Sequence, residues 1–280
     1  MAASLDLLLP LGADPYDPDE QTQVRAAVQE GLVDGLWVRD LPCTPAGDPD
    51  VGQGGDPFAH LAYLAGAGLT PQVCRIGTAS VILGLRHPLV VARAVAGLQA
   101  QAGCPVVLGV GTGGKPELND AVGVTGRTMA EFARQWRALR QALHDPGEAP
   151  HTSFAAPPDH RPPPMHLATS DPARWEAIEG RAEGWQTFLT TPEEHVRAVE
   201  EVRAVSAGPL DVCVRADITL TQDGPRSGMP HVQERGRVTC TLGQLGTLLR
   251  TWAQLPVDHL LLSLRAPDPL ATLRAVRPPA

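Results

Sequence analysis

CRIGTASVILGLRHPLVVARAVAGLQ, Cys74–Gln99, reads as one strand followed by one helix. Cys74 to Leu85 is nearly all apolar or small, as expected of a strand covered on both faces. Arg86-His87-Pro88 then opens a helix, since proline suits a first helical turn and His87 can bond the exposed amides there. Outward from this unit the same alternation recurs. Strands are predicted at Leu5–Leu9, Asp34–Asp40, Cys74–Leu85, Val106–Val110, Met165–Thr169, Gly184–Phe188, Leu210–Leu220 and Val257–Leu264, with segments of helical period between them. Asp56-Pro57 and Thr191-Pro192-Glu193-Glu194 carry helix-start chemistry.

Eight βα units in 280 residues match the size of an α/β protein of the (β/α)8 TIM-barrel class, whereas a doubly wound sheet would usually need five or six. The expectation is a single barrel domain over residues 1–280, with loop insertions at about 41–55, 144–164 and 221–238. Its functional residues are expected at the carboxyl ends of the strands.

Composition narrows the function classes. A formal net charge of −8 argues against a nucleic-acid or anionic-membrane partner. Glycine and proline, 28 each, imply many short turns and no long helical array. The sequence has no apolar run of spanning length, and MAASLDLLLPLG lacks a basic segment before its apolar run, so a cytoplasmic protein is expected. Cys43, Cys74, Cys104, Cys213 and Cys240 form no CxxC pair, and the histidines show no HxH or HExxH spacing. Neither a metal site nor a disulfide framework is signalled, and no GxSxG elbow is present.

At the predicted strand ends lie Arg39-Asp40, Thr78 to Ser80, Gly111 to Gly114, Thr169-Ser170-Asp171, Gln186-Thr187, Arg215, Asp217, Ser263 and Arg265. Small residues, hydroxyls and backbone amides suit a phosphate and a flat ring. GVGTGG at Gly109–Gly114 is not the GxGxxG dinucleotide spacing; it is a tight βα turn or a wall for a planar cofactor. Ser170 is a helix cap or a phosphate ligand. Arg39 and Asp40 are a catalytic pair or an ion pair closing the barrel mouth. Trp37, Trp175 and Trp185 are expected between barrel and helices.

DGLWVRDLPC from Asp34, DPFAHLAYLAGAGL from Asp56, the stretch from Arg75, LGVGTGG from Leu108 and PPPMHLATSDPARWEAIEGRAEGWQTF from Pro162 together resemble the bacterial luciferase-like flavin-dependent oxidoreductases. WVRDLP and IGTASVILGLRHP are most similar to a branch of luciferase-type oxidoreductases whose substrate the resemblance does not supply. The resemblance implies an enzyme, an oxidoreductase or monooxygenase on a small-molecule substrate, that holds FMN or a deazaflavin coenzyme at the carboxyl end of the barrel. NAD(P)H or a partner flavin reductase would supply the reductant. It places Thr78, Ala79 and Ser80 beside the ring, where relatives often carry a non-prolyl cis peptide, Thr112 and Gly113 along the cofactor, and Thr169 with Ser170 at its phosphate. Arg39 and Asp40 fall where relatives carry a polar catalytic residue. It also implies a homodimer, for which the apolar face from Leu85 to Leu98 is available.

Two departures concern the chemistry. Gln101-Ala102-Gly103-Cys104-Pro105 replaces the family's GR turn, and Thr112 stands where some members place a phosphate-binding arginine. Arg235 and Arg237 are substitutes for that ligand or solvated surface residues. The alternative to an enzyme is therefore a non-catalytic flavin- or ligand-binding member of the same fold.

Overall fold

The computed structural model describes residues 3–10, 18–41, 55–113, 120, 123, 128–145, 160–169, 171, 174–225 and 227–277. Ser170 and, of the predicted insertions at 41–55 and 144–164, residues 42–54 and 146–159 lie outside these residues. Among the described residues no helix is long and apolar enough to cross a membrane.

Strands β1 (Ser4–Leu9), β2 (Gly35–Val38), β3 (Arg75–Ile82), β4 (Val106–Gly111), β5 (Met165–Ala168), β6 (Gly184–Phe188) and β7 (Asp211–Leu220) pair in parallel in chain order. A short strand β8 (Arg237–Cys240) follows, and β9 (His259–Arg265) pairs with both β7 and β1, closing an eight-stranded barrel. The chain is a (β/α)8 TIM barrel. Strand β8 stands outside the eight. It extends the β7 edge above β6, pairing Asp217 with Arg237 through Leu220 with Cys240, so the predicted insertion at 221–238 ends in a strand rather than being loop throughout.

Helices α1 (Pro18–Gln29), α2 (Pro57–Gly66), α3 (Pro88–Ala102), α4 (Met129–His144), α5 (Arg174–Ala177), α6 (Pro192–Val205), α7 (Leu242–Trp252) and α8 (Pro269–Val276) surround it. Their starts follow local chemistry. Asp56 accepts from the amides of Phe58 and Ala59, His87 Nδ1 accepts from Leu89, and Thr191 forms a capping box with Glu194. On α3 the apolar residues Val91, Ala92, Val95 and Leu98 are buried within the chain itself, leaving Val90 59% exposed.

Two cores result. The larger lies between strands and helices and contains Trp136, Trp175, Trp185 and Trp252. The smaller, Leu8, Trp37, Val107, Cys213 and Leu261, fills the barrel interior. Trp37 is thus inside the barrel, not between barrel and helices as expected from sequence. Leu36 and Val38 take the outward positions of β2, so strand alternation turns Trp37 inward. Gly77 makes this fit possible, since a Cβ there would lie 2.6 Å from the indole ring.

Below Trp37, at the amino end of the barrel, is a buried polar layer. Asp6 accepts from Trp37 Nε1 at 2.7 Å and pairs with Arg75 at 3.3 Å, and Arg75 also donates to Ser4 Oγ at 2.9 Å. Burial pushes the Asp6 carboxyl up, with Arg75 opposing. Ser4 Oγ meets His259 Nδ1 at 2.8 Å, and His166 Nδ1 lies 3.3 Å from the Cys213 sulfur. Burial holds both imidazoles neutral, His166 down to about 3 and His259 to about 4.

Candidate functional site

The carboxyl end of the barrel collects the residues singled out in the sequence, and strand alternation sorts them. Arg39 and Asp40, adjacent at the end of β2, do not form the expected pair with each other. Arg39 Nη2 instead donates to Asp217 Oδ1 on β7 at 2.9 Å. Arg215, two residues before Asp217, grips the same carboxylate through Nε at 3.2 Å and Nη2 at 2.7 Å. Burial would raise the Asp217 carboxyl, but Arg215 and Arg39 outweigh it and hold it low, with Arg265 assisting. The Arg215 guanidinium also lies over Phe188 on β6, 5.4 Å from the ring centre.

Asp40 turns the other way. Its Oδ2 accepts from the Ile82 amide at 2.8 Å and from Arg86 Nη1, and Arg86 continues to Asp56, the α2 cap, at 2.8 Å. Burial pushes the Asp40 carboxyl up despite these donors. This chain of contacts ties the end of β2 to the segments leading into α2 and α3.

Thr78, Ala79 and Ser80 on β3 border the same mouth, and the Ala79–Ser80 peptide is cis, as the resemblance implies. Thr78 is almost fully buried, and its hydroxyl donates to the Gly109 carbonyl at 2.9 Å, so its own side chain is committed to the β3–β4 seam. Its carbonyl accepts from Gln186 Nε2 at 2.9 Å, across the barrel from β6. Gly109 permits that crossing: a Cβ there would fall 2.1 Å from the Thr78 oxygen and 2.3 Å from Gln186 Nε2. The other amide atom, Gln186 Oε1, is buried and has no hydrogen-bond partner among the described residues. A buried acceptor of this kind costs free energy until something donates to it.

Thr112 and Gly113 follow β4. Thr112 Oγ1 accepts from Arg174 Nη1 of α5 at 2.5 Å, and Arg174 Nε lies 3.8 Å from Asp171. Arg174 was not anticipated from the sequence. The position next to the β4 glycines, judged there to have lost its cation, receives one from the next βα unit. The available signal was an arginine four residues after Ser170, near the start of the helix following β5. Thr169 is buried, its Oγ1 accepting from the Asp171 amide at 2.9 Å and its carbonyl accepting from Trp185 Nε1 at 2.8 Å. Arg237, weighed as a substitute phosphate ligand, belongs to β8 and donates through Nε to the Glu234 carbonyl at 3.4 Å. Arg235 sits in a 3-10 turn with φ 58°.

The arrangement thus has two parts: a glycine-lined floor joining β3, β4 and β6, flanked by a hydroxyl and guanidinium pair, and a cluster of arginines about one carboxylate. The glycines of the first admit the Thr78–Gln186 crossing and the Ser80 hydroxyl, and Arg174 supplies a charged donor fork suited to an anionic tail.

The family model for luciferase-like monooxygenases matches residues 14–223. The F420-dependent glucose-6-phosphate dehydrogenase of Gordonia bronchialis is 29% identical over 188 residues, 61% of this chain. The chain spans about half the length of that relative, 53%. Among solved structures, the monooxygenase RslO1 from Streptomyces bottropensis superposes with a TM-score of 0.70 at 17% identity over 97% of both chains. The EDTA monooxygenase of Chelativorans superposes at 0.71 with 13% identity, over 99% of this chain and 93% of that one. At these identities the two structures speak for the fold.

Proposed function

We propose that this chain, which belongs to the luciferase-like monooxygenase family, is a flavin-dependent oxidoreductase or monooxygenase acting on a small organic molecule. FMN is the proposed cofactor, with the deazaflavin F420, named in the Gordonia relative, as the alternative. The observation that carries the reading is Arg174, whose guanidinium meets Thr112 beside the β4 glycines. A planar fork of donors matches a phosphate, and charge-assisted bonds are roughly twice as strong as neutral ones. This cation also weighs against the non-catalytic alternative, which rested on the loss of a phosphate arginine.

Thr112, Gly113, Thr169, Ser170 and Arg174 would hold the phosphate end. Ala79, Ser80 and the backbone of Thr78 would border the ring, and Gln186 Oε1 would offer it an acceptor. When bound, the cofactor supplies the hydride or dioxygen chemistry that no side chain provides. The chain's own part is to position and to stabilise charge. Arg39, held by Asp217, sets a fixed positive group at the mouth, where such preorganised charge favours any negative charge that develops. Asp40 acts through Arg86 and Asp56 as a positioning residue. NAD(P)H or a partner flavin reductase supplies reducing equivalents.

The test is titration of the purified chain with FMN, riboflavin and F420, followed by absorbance and fluorescence. FMN is expected to bind at least about tenfold more tightly than riboflavin, the worth of one charge-assisted contact. Binding of F420 but not FMN would select the alternative cofactor. Equal affinity for FMN and riboflavin would remove the phosphate assignment, and binding of none would overturn the reading.

A further inference from the structure

Two of the cysteines that form no sequence motif are brought side by side at the amino end of the barrel. Strands β3 and β4 pair in parallel from Ile76 opposite Val106 and Gly77 opposite Val107, and Cys74 and Cys104 each lie two residues before that first pair, in the bends that lead into the two strands. The ladder starts just after them, where the Ile76 amide donates to the Pro105 carbonyl at 3.0 Å. On the other side of the pair, Thr70 Oγ1 donates to the Ala102 carbonyl, and a Cβ on Gly103 would lie 3.1 Å from Pro71. The segments 70–76 and 102–106 are therefore pinned to each other above and below the two cysteines.

Ile76 and Val106 both face the outer core, and Cys104 packs against the edge of that core. Neighbouring strands lie about 4.7–4.9 Å apart, within the roughly 4.4–6.8 Å separation of Cα atoms that a disulfide spans. Both sulfurs are thiols, Cys74 exposed and Cys104 partly buried. Burial, followed by the nearby Cys74, pushes the Cys104 thiol up to about 11, with the Ile76 amide opposing. Cys213 is buried inside the barrel and Cys240 is buried on β8.

We propose that Cys74 and Cys104 form a peroxide-responsive dithiol, a modification site on the face of the barrel opposite the cofactor rim. Cys74, the exposed member, reacts first: its thiolate sulfur bonds to one oxygen of hydrogen peroxide, the O–O bond breaks, and hydroxide leaves to take up a proton as water. The Cys104 sulfur then attacks the Cys74 sulfur, the S–O bond breaks, and a second water leaves carrying the Cys104 proton. Two thiols are oxidised by two electrons and one peroxide is reduced to two waters. The product staples the start of β3 to the start of β4.

The test treats the folded chain with dilute hydrogen peroxide, counts thiols and maps tryptic peptides without reduction. Expected are the loss of two thiols per chain, a mass lower by two hydrogens, and a link between the peptides 40–75 and 94–127. Dithiothreitol reverses it. Because Cys43 shares a peptide with Cys74, the link is sequenced by fragmentation and repeated in Cys43→Ser. Cys74→Ser and Cys104→Ser each abolish it. A link through Cys43, a dimer joined through Cys74, oxygenated Cys74 beside reduced Cys104, or a link seen only in urea would each overturn the proposal.

Discussion

At the amino end of the barrel interior, Asp6, His166 and His259 are buried around Trp37 with Arg75 and Ser4 closing the layer; at the carboxyl end, Arg39, Arg215, Asp217 and Gln186 ring the mouth. Both are polar groups inside an otherwise apolar barrel. The lower layer is built to be silent, with its histidines neutral and its one carboxylate bonded to an indole and a guanidinium. The upper layer keeps its arginines charged around a low-pKa carboxylate and holds an amide oxygen with no described partner. The comparison teaches that buried polarity alone does not mark a site. Each end holds a buried polar atom with no hydrogen-bond partner among the described residues, His166 Nε2 below and Gln186 Oε1 above, so what separates them is charge: neutral groups at one end belong to folding, and retained charge at the other points to a ligand.

The largest expected effect tests the silence of the lower layer. His166 and His259 titrate near their ordinary value when unfolded but at about 3 and about 4 when folded, so below about pH 6.5 the unfolded chain binds more protons. Stability present at pH 7 is lost progressively as pH falls from 6.5 toward 4, on the order of 5 kcal/mol for the pair. The raised Asp6 carboxyl has the opposite slope and returns part of that loss. Urea unfolding at stepped pH measures it; a flat profile would mean that these histidines are not held neutral. Next, Trp37→Ala should cost about 3–5 kcal/mol, because it empties the inner core and strips Asp6 of a donor. Equilibrium unfolding that moves by less than about 1 kcal/mol would return Trp37 to a peripheral role.

The upper layer should respond in binding rather than in stability. Arg174→Ala is expected to weaken FMN by roughly 10- to 100-fold, the equivalent of one charge-assisted contact, while leaving riboflavin unchanged. Equal loss for both would indicate a fold effect. The smallest effect separates two neighbours in sequence. Asp40→Asn should lower stability by about 1 kcal/mol through the weakened Arg86 contact and leave flavin affinity as it was. Arg39→Ala should keep the flavin bound and slow oxidation of reduced nicotinamide. Reversed results would exchange their roles.

Much of the scaffold was legible in the chain. The eight barrel strands fall where β-branched and leucine-rich runs predict them, because a strand buried on both faces needs such runs. Asp56, His87 and Thr191 start helices because capping is decided by a few adjacent residues. The extra strand β8 was missed: its four residues, Arg237–Cys240, carry a charge and a threonine, too short and mixed to stand out from a polar loop.

The site was legible only as a set of strand ends. Strand β2 is apolar on both sides, so its sequence carried no alternation from which to tell that Trp37 points inward and Leu36 outward. The bond between Arg39 and Asp217 joins residues 178 positions apart, and that between Thr112 and Arg174 joins residues 62 apart. Local sequence chemistry therefore determined the elements, their caps and the end of the barrel that would carry the site. The closure and register of the barrel determined which arginine meets which acid or hydroxyl, because those partnerships depend on the angular position of each strand around the ring and no short-range rule encodes it.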